Sequence, residues 1–223
     1  MRRVVVAAAA IVLACAAAGA AGATNECRGL QVCVPVAGPW VVAGGAQVSF
    51  QLACPARFVV AGLDAELSRS GVDVTFRGSL GSPVNPGITT SRSVEFLARL
   101  LAPGTPATFR PHVGCVPAGG GGERFPTAQG PTVRKPAPAL VPAAIEIAVR
   151  PGLHRYVERC AAGQRLTGAT HAVGFYTATP PSAALVRSIT VSQGVHAGAV
   201  RLAVRAGALP GVRAVVQVEL DCV

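Results

Sequence analysis

Paired carboxylates are the first candidates for chemistry in this 223-residue chain, because two Asp or Glu side chains at suitable spacing can act as general acid and general base. The chain has only ten Asp and Glu residues. Asp64 and Glu66 lie two apart on a segment whose pattern predicts a strand, so their side chains share one face. They are the nearest approach to a carboxylate pair, and we predict that they mark the solvent side of that strand.

Histidines and serines offer no recognisable catalytic or metal-binding motif. The four histidines are His112, His154, His171 and His196. None belongs to an H-E-x-x-H motif, and the stretch from Arg77 to Gly81 only resembles a G-x-S-x-G nucleophile elbow. We therefore predict a noncatalytic protein without catalytic, cofactor-binding or metal-binding residues. The alternative is a secreted hydrolase whose polar groups converge only in three dimensions.

The first residues have the layout of a secretory signal peptide. Met1-Arg2-Arg3 precedes a small, apolar run over residues 4–23, and the Ala-Gly-Ala at its end predicts cleavage before Thr24. One alternative is a bacterial lipobox, Val-Leu-Ala-Cys15, in which Cys15 carries a lipid. A retained apolar anchor of about 20 residues is a third interpretation. We predict an extracellular or cell-envelope protein, with membrane attachment only through a lipid on Cys15.

An internal repeat with an offset of 106 residues organises the rest of the chain. The offset places Cys54 over Cys160 without a gap, and each of these is followed by a further cysteine after a nearly equal distance, at Cys115 and Cys222. The predicted units are a first copy over 24–116, a Pro- and Gly-rich linker over 117–142 and a second copy over 143–223. An ordered crossover between two sheets is the alternative to the linker.

Six cysteines remain after either route of processing: Cys27, Cys33, Cys54, Cys115, Cys160 and Cys222. Disulfides persist in exported proteins, so an even number of cysteines predicts three bonds. If the two copies fold alike, each long Cys-to-Cys segment closes on itself and the two N-terminal cysteines pair. The predicted bonds are Cys54–Cys115, Cys160–Cys222 and Cys27–Cys33.

Apolar residues alternate with polar ones in short runs within each copy, which is typical of antiparallel strands. The predicted strands of the first copy cover residues 32–42, 47–54, 57–67, 72–77, 92–101 and 106–115. Those of the second cover 143–149, 153–160, 164–174, 185–192, 198–206 and 212–222. The predicted fold is all-β: two tandem, small, antiparallel β-sandwich domains of the immunoglobulin-like kind, with about six strands each and disulfide staples.

The formal charge of +10 comes from 19 arginines and one lysine, Lys135, which are scattered singly along the chain. Only 7 Phe, 2 Tyr and 1 Trp could stack on bases. We therefore predict no specific nucleic-acid site and a weak attraction to anionic cell-surface polymers. Partners of this kind, or another envelope protein, are the expectation, and no cofactor is predicted.

Two Pro-rich loops at matching places in the two copies are the predicted ligand-binding loops, because loops on a rigid sandwich often carry binding residues. Their candidate contact residues are Ser82, Asn85, Tyr176, Thr177 and Thr179. The alternative is that both loops are plain connectors.

The runs Cys54-Pro-Ala-Arg57 and Cys160-Ala-Ala-Gly163, each closed by a cysteine about 60 residues later, resemble a β module of uncharacterised exported bacterial proteins that opens with Cys-Pro-x-Gly. Arg57 replaces the glycine of that pattern in the first copy. The resemblance implies an envelope or extracellular module without an assigned activity. The expected function is thus a secreted or envelope β-sandwich protein, structural or ligand-binding; an envelope lipoprotein anchored through Cys15 is the further alternative.

Overall fold

The computed structural model describes residues 24–30, 32–78, 91–102, 104, 106–118 and 144–223. The predicted signal peptide, Cys15, the loop residues Ser82 and Asn85 and almost all of the predicted linker lie outside these residues. No helix in the described ranges is long and apolar enough to cross a membrane.

Within the described ranges the fold is all-β apart from one short helix. Its elements, in chain order, are β1 (Val34–Ala37), β2 (Trp40–Ala43), β3 (Val48–Ala53), β4 (Phe58–Leu67), β5 (Val72–Arg77), β6 (Ser93–Leu100), β7 (Ala107–Pro117), β8 (Ala144–Ala148), β9 (Gly152–Arg159), β10 (Leu166–Tyr176), α1 (Ala183–Arg187), β11 (Ile189–His196), β12 (Ala199–Ala206) and β13 (Arg213–Cys222).

A central sheet, sheet A, runs through both halves of the molecule, which we define as residues 24–118 and 144–223. Its strands lie in the order β4, β7, β2, β10, β13 and β8, and β1 pairs with β7 as β2 does. All pairs are antiparallel. The two halves meet where β2 pairs with β10, with Trp40 opposite Phe175 and Val41 opposite Gly174. The halves are therefore joined by a shared sheet among the described residues.

Two three-stranded sheets cover sheet A. Sheet B has the order β3-β6-β5 and comes from the first half, and sheet C has the order β11-β12-β9 and comes from the second. They cover opposite faces, because neighbouring residues of sheet A enter different cores: Val41 and Val215 belong to the core under sheet B, whereas Val42 and Val216 pack in the core under sheet C. Each half thus buries its own core against one face of a common sheet.

The expected strands occur with two differences. The strand expected over 32–42 is interrupted between β1 and β2, because Pro39 lacks an N–H for the ladder and Gly38 approaches Pro111, to whose carbonyl its N–H donates at 2.8 Å. The strand expected over 185–192 begins only at Ile189. Residues before it form α1, whose N-cap is Ser182. The strand expected over 92–101 is present as β6, as predicted.

Three disulfides join Cys27 to Cys33, Cys54 to Cys115 and Cys160 to Cys222, the same pairs that the repeat predicts. The two long bonds close segments of 61 and 62 residues, and Cys54 and Cys115 are buried in the first core. Intrachain disulfides of this kind are typical of a non-cytoplasmic, oxidising environment.

Candidate functional site

Four arginines lie on the solvent face of sheet C: Arg155 and Arg159 on β9, Arg201 and Arg205 on β12. All four are exposed. Strand periodicity places them there, because residues two or four apart share a face. Leu202, between the two arginines of β12, points the other way and is buried in the second core.

The ladder between β9 and β12 sets these side chains in a zigzag. Arg155 lies opposite Ala203, and Arg201 lies opposite Val157, so each arginine is diagonal to the next rather than directly across from it. The order along the strands is Arg205, Arg155, Arg201 and Arg159. Consecutive charges advance by two residues, which is about 7 Å. We call this set the arginine row.

The rest of this face carries no carboxylate among the described residues. The third strand, β11, contributes Thr190, Ser192 and His196, all exposed. The acidic residue of sheet C, Glu158, lies opposite the buried Val200 and so points to the inner face of the sheet. The positive charges of the arginine row are therefore not neutralised on their own surface.

A guanidinium group can donate two parallel hydrogen bonds to a phosphate or carboxylate group. A single exposed ion pair of this kind contributes only about 0.2–1 kcal/mol. Four guanidinium groups at regular spacing reach a useful affinity only with a ligand that presents several anionic groups in series. The geometry of the arginine row is thus suited to a linear polyanion.

A cleft of about 350 Å³ lies beside the arginine row, between the edge strands β8 and β9. Its lining residues are Ile147, Ala148, Arg150, His154, Arg155 and Tyr156. Arg155 belongs to both the row and the cleft. The cleft is open to solvent, and its lining carries two arginines and no acidic residue.

Two glutamates and one arginine meet where the halves contact each other. Arg77 of β5 and Glu95 of β6 are opposite each other in sheet B, and Arg77 donates to both carboxylate oxygens of Glu95, at 2.7 and 2.8 Å. Glu219 of β13 lies 3.8 Å from the same guanidinium. Glu95 is 1 % exposed, which leaves no access for a substrate. The pair is a polar contact within the structure rather than an acid and base facing a cleft.

Further hydrogen bonds of side chains complete this contact. The Gln217 amide accepts from the main-chain N–H of Gln51 and donates to the Gln51 carbonyl at 2.9 Å, as a neighbouring strand would. Ser49 donates to Glu219 at 2.7 Å. The edge of β3 is thereby covered by side chains of the second half.

The pKa of Glu95 is raised to about 6, chiefly because burial disfavours the charged form; Glu219 adds to the rise and the hydrogen bonds from Arg77 oppose it. The folded state therefore binds this proton more tightly than the unfolded chain, whose Glu pKa is about 4.5. The stabilisation by this proton is complete below pH 4.5 and is lost as the pH rises through 6.

We expect the Glu95 proton to make the folded state about 2 kcal/mol more stable at pH 4.5 than at pH 7. Urea unfolding of the native chain and of Glu95→Gln across this range isolates the effect, because glutamine cannot titrate. Asp73→Asn, at a more exposed carboxylate of the same sheet, is the control for the loss of one acidic side chain. Parallel pH profiles for the native chain and Glu95→Gln would contradict this assignment.

Asp64 and Glu66 share a face of β4, opposite the first core, but that face is partly covered by residues 24–30. Asp64 accepts from the N–H of Asn25 at 2.6 Å, and Glu66 lies 3.7 Å from the buried His112. Glu26 lies 3.6 Å from the other nitrogen of the same imidazole. The prediction of a solvent-facing pair therefore holds only in part, and these groups hold the N-terminal segment against the sheet.

The close approach of the N-terminal segment explains one glycine of the repeat. A Cβ at Gly62 would lie 1.7 Å from the carbonyl oxygen of Glu26, so no other residue fits there.

Among the described residues, no group of three or more His, Cys, Asp or Glu side chains could hold a metal ion.

The structure describes three of the loop candidates, Tyr176, Thr177 and Thr179, and gives each of them a local contact. The Arg213 guanidinium stacks 4.2 Å from the centre of the Tyr176 ring, and burial raises the pKa of that phenol. Thr177 donates to the carbonyl of Thr179 at 2.7 Å. Thr177 and Thr179 are thus bonded to each other, and the Tyr176 ring contacts Arg213.

Neither the arginine row nor the contact of Glu95 with Glu219 was predicted from the sequence. The sequence feature that indicates the arginine row is the spacing of four residues between the two arginines of β9 and again between those of β12. These arginines look unrelated in the sequence until the two strands are paired. The sequence feature that indicates a buried Glu95 is its position between Val94 and Phe96 in an apolar strand.

In comparisons with known proteins, no family model, no curated protein and no solved structure matches the chain.

Proposed function

We propose that the chain is an exported, noncatalytic protein of two tandem immunoglobulin-like β-sandwich units that binds a linear anionic polymer of the cell surface. The arginine row carries this proposal. It supplies four exposed, regularly spaced cations on a face without carboxylates in the described part of the chain. Export is supported by the three disulfides.

The tandem arrangement is supported by details that repeat at the offset found in the sequence. The ladders of β4 with β7 and of β10 with β13 have irregularities at Val60/Gly62 and Leu166/Gly168, which are 106 residues apart. Arg57 and Gly163, also 106 apart, both have positive φ, 69° and 86°. In each half the central strands have the same order, and so do the outer ones.

A polymer recognised by its charge fits the row better than a nucleic acid does. Proteins that bind single strands usually stack bases on aromatic side chains, and the described solvent face of sheet C carries none. Tyr156, the aromatic residue of β9, lies opposite the buried Leu202 on the inner face. The aliphatic and hydroxyl side chains next to the arginine row can contact the backbone of a flexible polymer.

Salt dependence tests this function. With four contacts, a plot of the logarithm of the affinity for a flexible polyanion against the logarithm of salt concentration should have a slope of about −3. The affinity should therefore fall about 50-fold between 50 and 200 mM salt. The probe is poly(glycerol phosphate), titrated by calorimetry or fluorescence anisotropy, with neutral dextran of similar length as control. Equal binding of dextran, or an affinity that does not change with salt, would exclude the proposed function.

The lipid-anchored form of the protein is a separate proposal, supported only by the lipobox around Cys15. Mass spectrometry of the mature N-terminus distinguishes a lipidated Cys15 from a free Thr24.

A further inference from the structure

The cleft between β8 and β9 contains basic side chains that the arginine row does not explain. Arg150 lies between the two strands, and His154 is opposite Val204, whose side chain is buried in the second core. Neither residue therefore belongs to the solvent face of sheet C, whereas Arg155 is shared by the cleft and the row. Two of the three basic residues in the lining need a separate explanation.

The tandem arrangement proposed above indicates that the fold does not require these charges. At the offset of 106, the three basic residues of the lining correspond to neutral residues of the first half, namely Gly44, Val48 and Ser49. In the first half the corresponding space, between β2 and β3, is occupied by the second half. There β10 pairs with β2, and Ser49 forms a hydrogen bond of 3.1 Å with Thr170 of β10. The basic residues thus occur in the half whose space is open to solvent.

The positive charges of the cleft are available to a ligand. Arg150 and Arg155 form no hydrogen bond or ion pair with any residue of the described ranges, and the lining contains no carboxylate. Nε2 of His154 lies 3.0 Å from the carbonyl oxygen of Pro151 and donates to it, because a carbonyl oxygen only accepts. This bond holds the imidazole against the turn between the strands. Two unpaired guanidinium groups and one held imidazole therefore line the same cleft.

The rest of the lining is mainly apolar. Ile147 is buried in the second core, and the Tyr156 ring packs against that core. The volume of about 350 Å³ is at the lower end of the range for small-molecule sites, about 300–1,000 Å³. Such sites commonly combine an apolar wall with a few polar groups that orient the ligand. The cleft therefore suits a short carbon chain or sugar ring with an anionic group at one end.

A phosphate monoester matches the polar groups of the cleft better than a carboxylate does. It carries a charge of about −1.5 to −2 at pH 7 and three acceptor oxygens. A carboxylate has a single charge and two oxygens. Each guanidinium can donate two parallel hydrogen bonds, so two of them match both the charge and the acceptors of the phosphate.

We infer that the cleft between β8 and β9 binds a phosphate monoester of a small polyol or sugar. Arg150 and Arg155 bind the phosphate group, and Tyr156 contacts the carbon chain. Such a group occurs on a free small molecule and also at the end of a phosphate polymer. The comparison of the two halves rests on the tandem arrangement proposed above, but the inference does not depend on polymer binding by the arginine row.

Glycerol monophosphate is the probe for this site, titrated into the full chain at low salt by calorimetry or amide NMR, beside glycerol and glycerate. The native chain should bind glycerol monophosphate more tightly than glycerate and should not bind glycerol. Arg150→Gln should weaken the binding by more than about tenfold, because it removes charge-assisted hydrogen bonds. The inference is overturned by equal binding of glycerate, by an unchanged affinity of Arg150→Gln, or by no binding at millimolar concentration.

Arg159→Gln is the matched control, because it removes one exposed arginine of β9 that does not line the cleft. Arg159 is four residues from Arg155, about 14 Å along the strand. That exceeds the screening length of about 10 Å, so glycerol monophosphate should bind this variant as it binds the native chain. Urea unfolding of both variants should equal that of the native chain, which separates lost binding from misfolding.

The same two variants separate the cleft from the arginine row. The polymer for this comparison is poly(glycerol phosphate) treated with a phosphomonoesterase, which removes phosphate from chain ends and leaves the internal diesters. The salt-dependent slope should remain near −3 for Arg150→Gln and change to about −2 for Arg159→Gln. Failure of glycerol monophosphate to bind, with the native slope retained, counts against the cleft alone. Loss of the slope with glycerol monophosphate still bound counts against the row alone.

Untreated polymer identifies the source of the phosphate. If short untreated chains bind the native protein more tightly than treated ones, and Arg150→Gln abolishes the difference, the cleft takes the end of the polymer. Equal binding of treated and untreated chains, with glycerol monophosphate bound, assigns the cleft to a free small phosphate. Either result supports the site.

Discussion

Replacing Cys54 and Cys115 together by alanine lowers the free energy of unfolding by about 4 kcal/mol. The bond closes a segment of 61 residues and so restricts the unfolded chain strongly. Both cysteines are also buried in the first core, at 2 % and 0 % exposed. The measurement is urea unfolding of the double variant beside the native chain.

The bond between Cys27 and Cys33 provides the matched control. It closes only six residues, so the same double substitution there should cost about 2 kcal/mol. The bond between Cys160 and Cys222, with a separation of 62, should behave like the first long bond. Equal losses for the short and long bonds would show that closure of the chain is not what these disulfides contribute.

Changing all four arginines of the arginine row to glutamine lowers the affinity for poly(glycerol phosphate) by two to three orders of magnitude at low salt. Each arginine near an anionic surface contributes about 1 kcal/mol, and glutamine keeps the length and polarity of the side chain without its charge. The affinity is measured by the same titration at 50 mM salt. Unchanged urea unfolding should accompany the loss, because all four side chains are exposed.

A control with the same net charge separates the row from the overall charge of the protein. Four other exposed arginines can be changed to glutamine: Arg28, Arg57, Arg99 and Arg213. Both variants then carry a formal charge of +6, which is +10 less four. Because charges beyond about 10 Å are screened, the control should lose less than about tenfold. Equal losses would assign the attraction to net charge alone.

The alternation of residues predicts most of the strands but not what covers each face. In β13, Val216 and Val218 point into the second core, and Gln217 and Glu219 point to the other face, as a period of two requires. The same pattern in an isolated sandwich would leave that other face in water. Here both polar residues are less than 9 % exposed, because the first half lies against them.

The arginine row illustrates a different limit. The positions of Arg155 and Arg159 on one face of a strand follow from the sequence alone. Their position beside Arg201 depends on the register between β9 and β12, which are about 40 residues apart in the chain. Local patterns do not fix such a register, so separate charges could not be assembled into one site beforehand. The disulfide pairs, by contrast, followed from the equal spacing of the cysteines in the two copies.

Residue-resolved protection of arginines by the polymer is the most direct test of the proposed function. Modification with an arginine-selective dicarbonyl reagent, with and without poly(glycerol phosphate), can be read for each arginine by mass spectrometry. We predict protection of Arg155, Arg159, Arg201 and Arg205, while Arg28 and Arg57 react as in the free protein. Protection spread equally over all exposed arginines, or centred on the first half, would contradict the arginine row as the binding site.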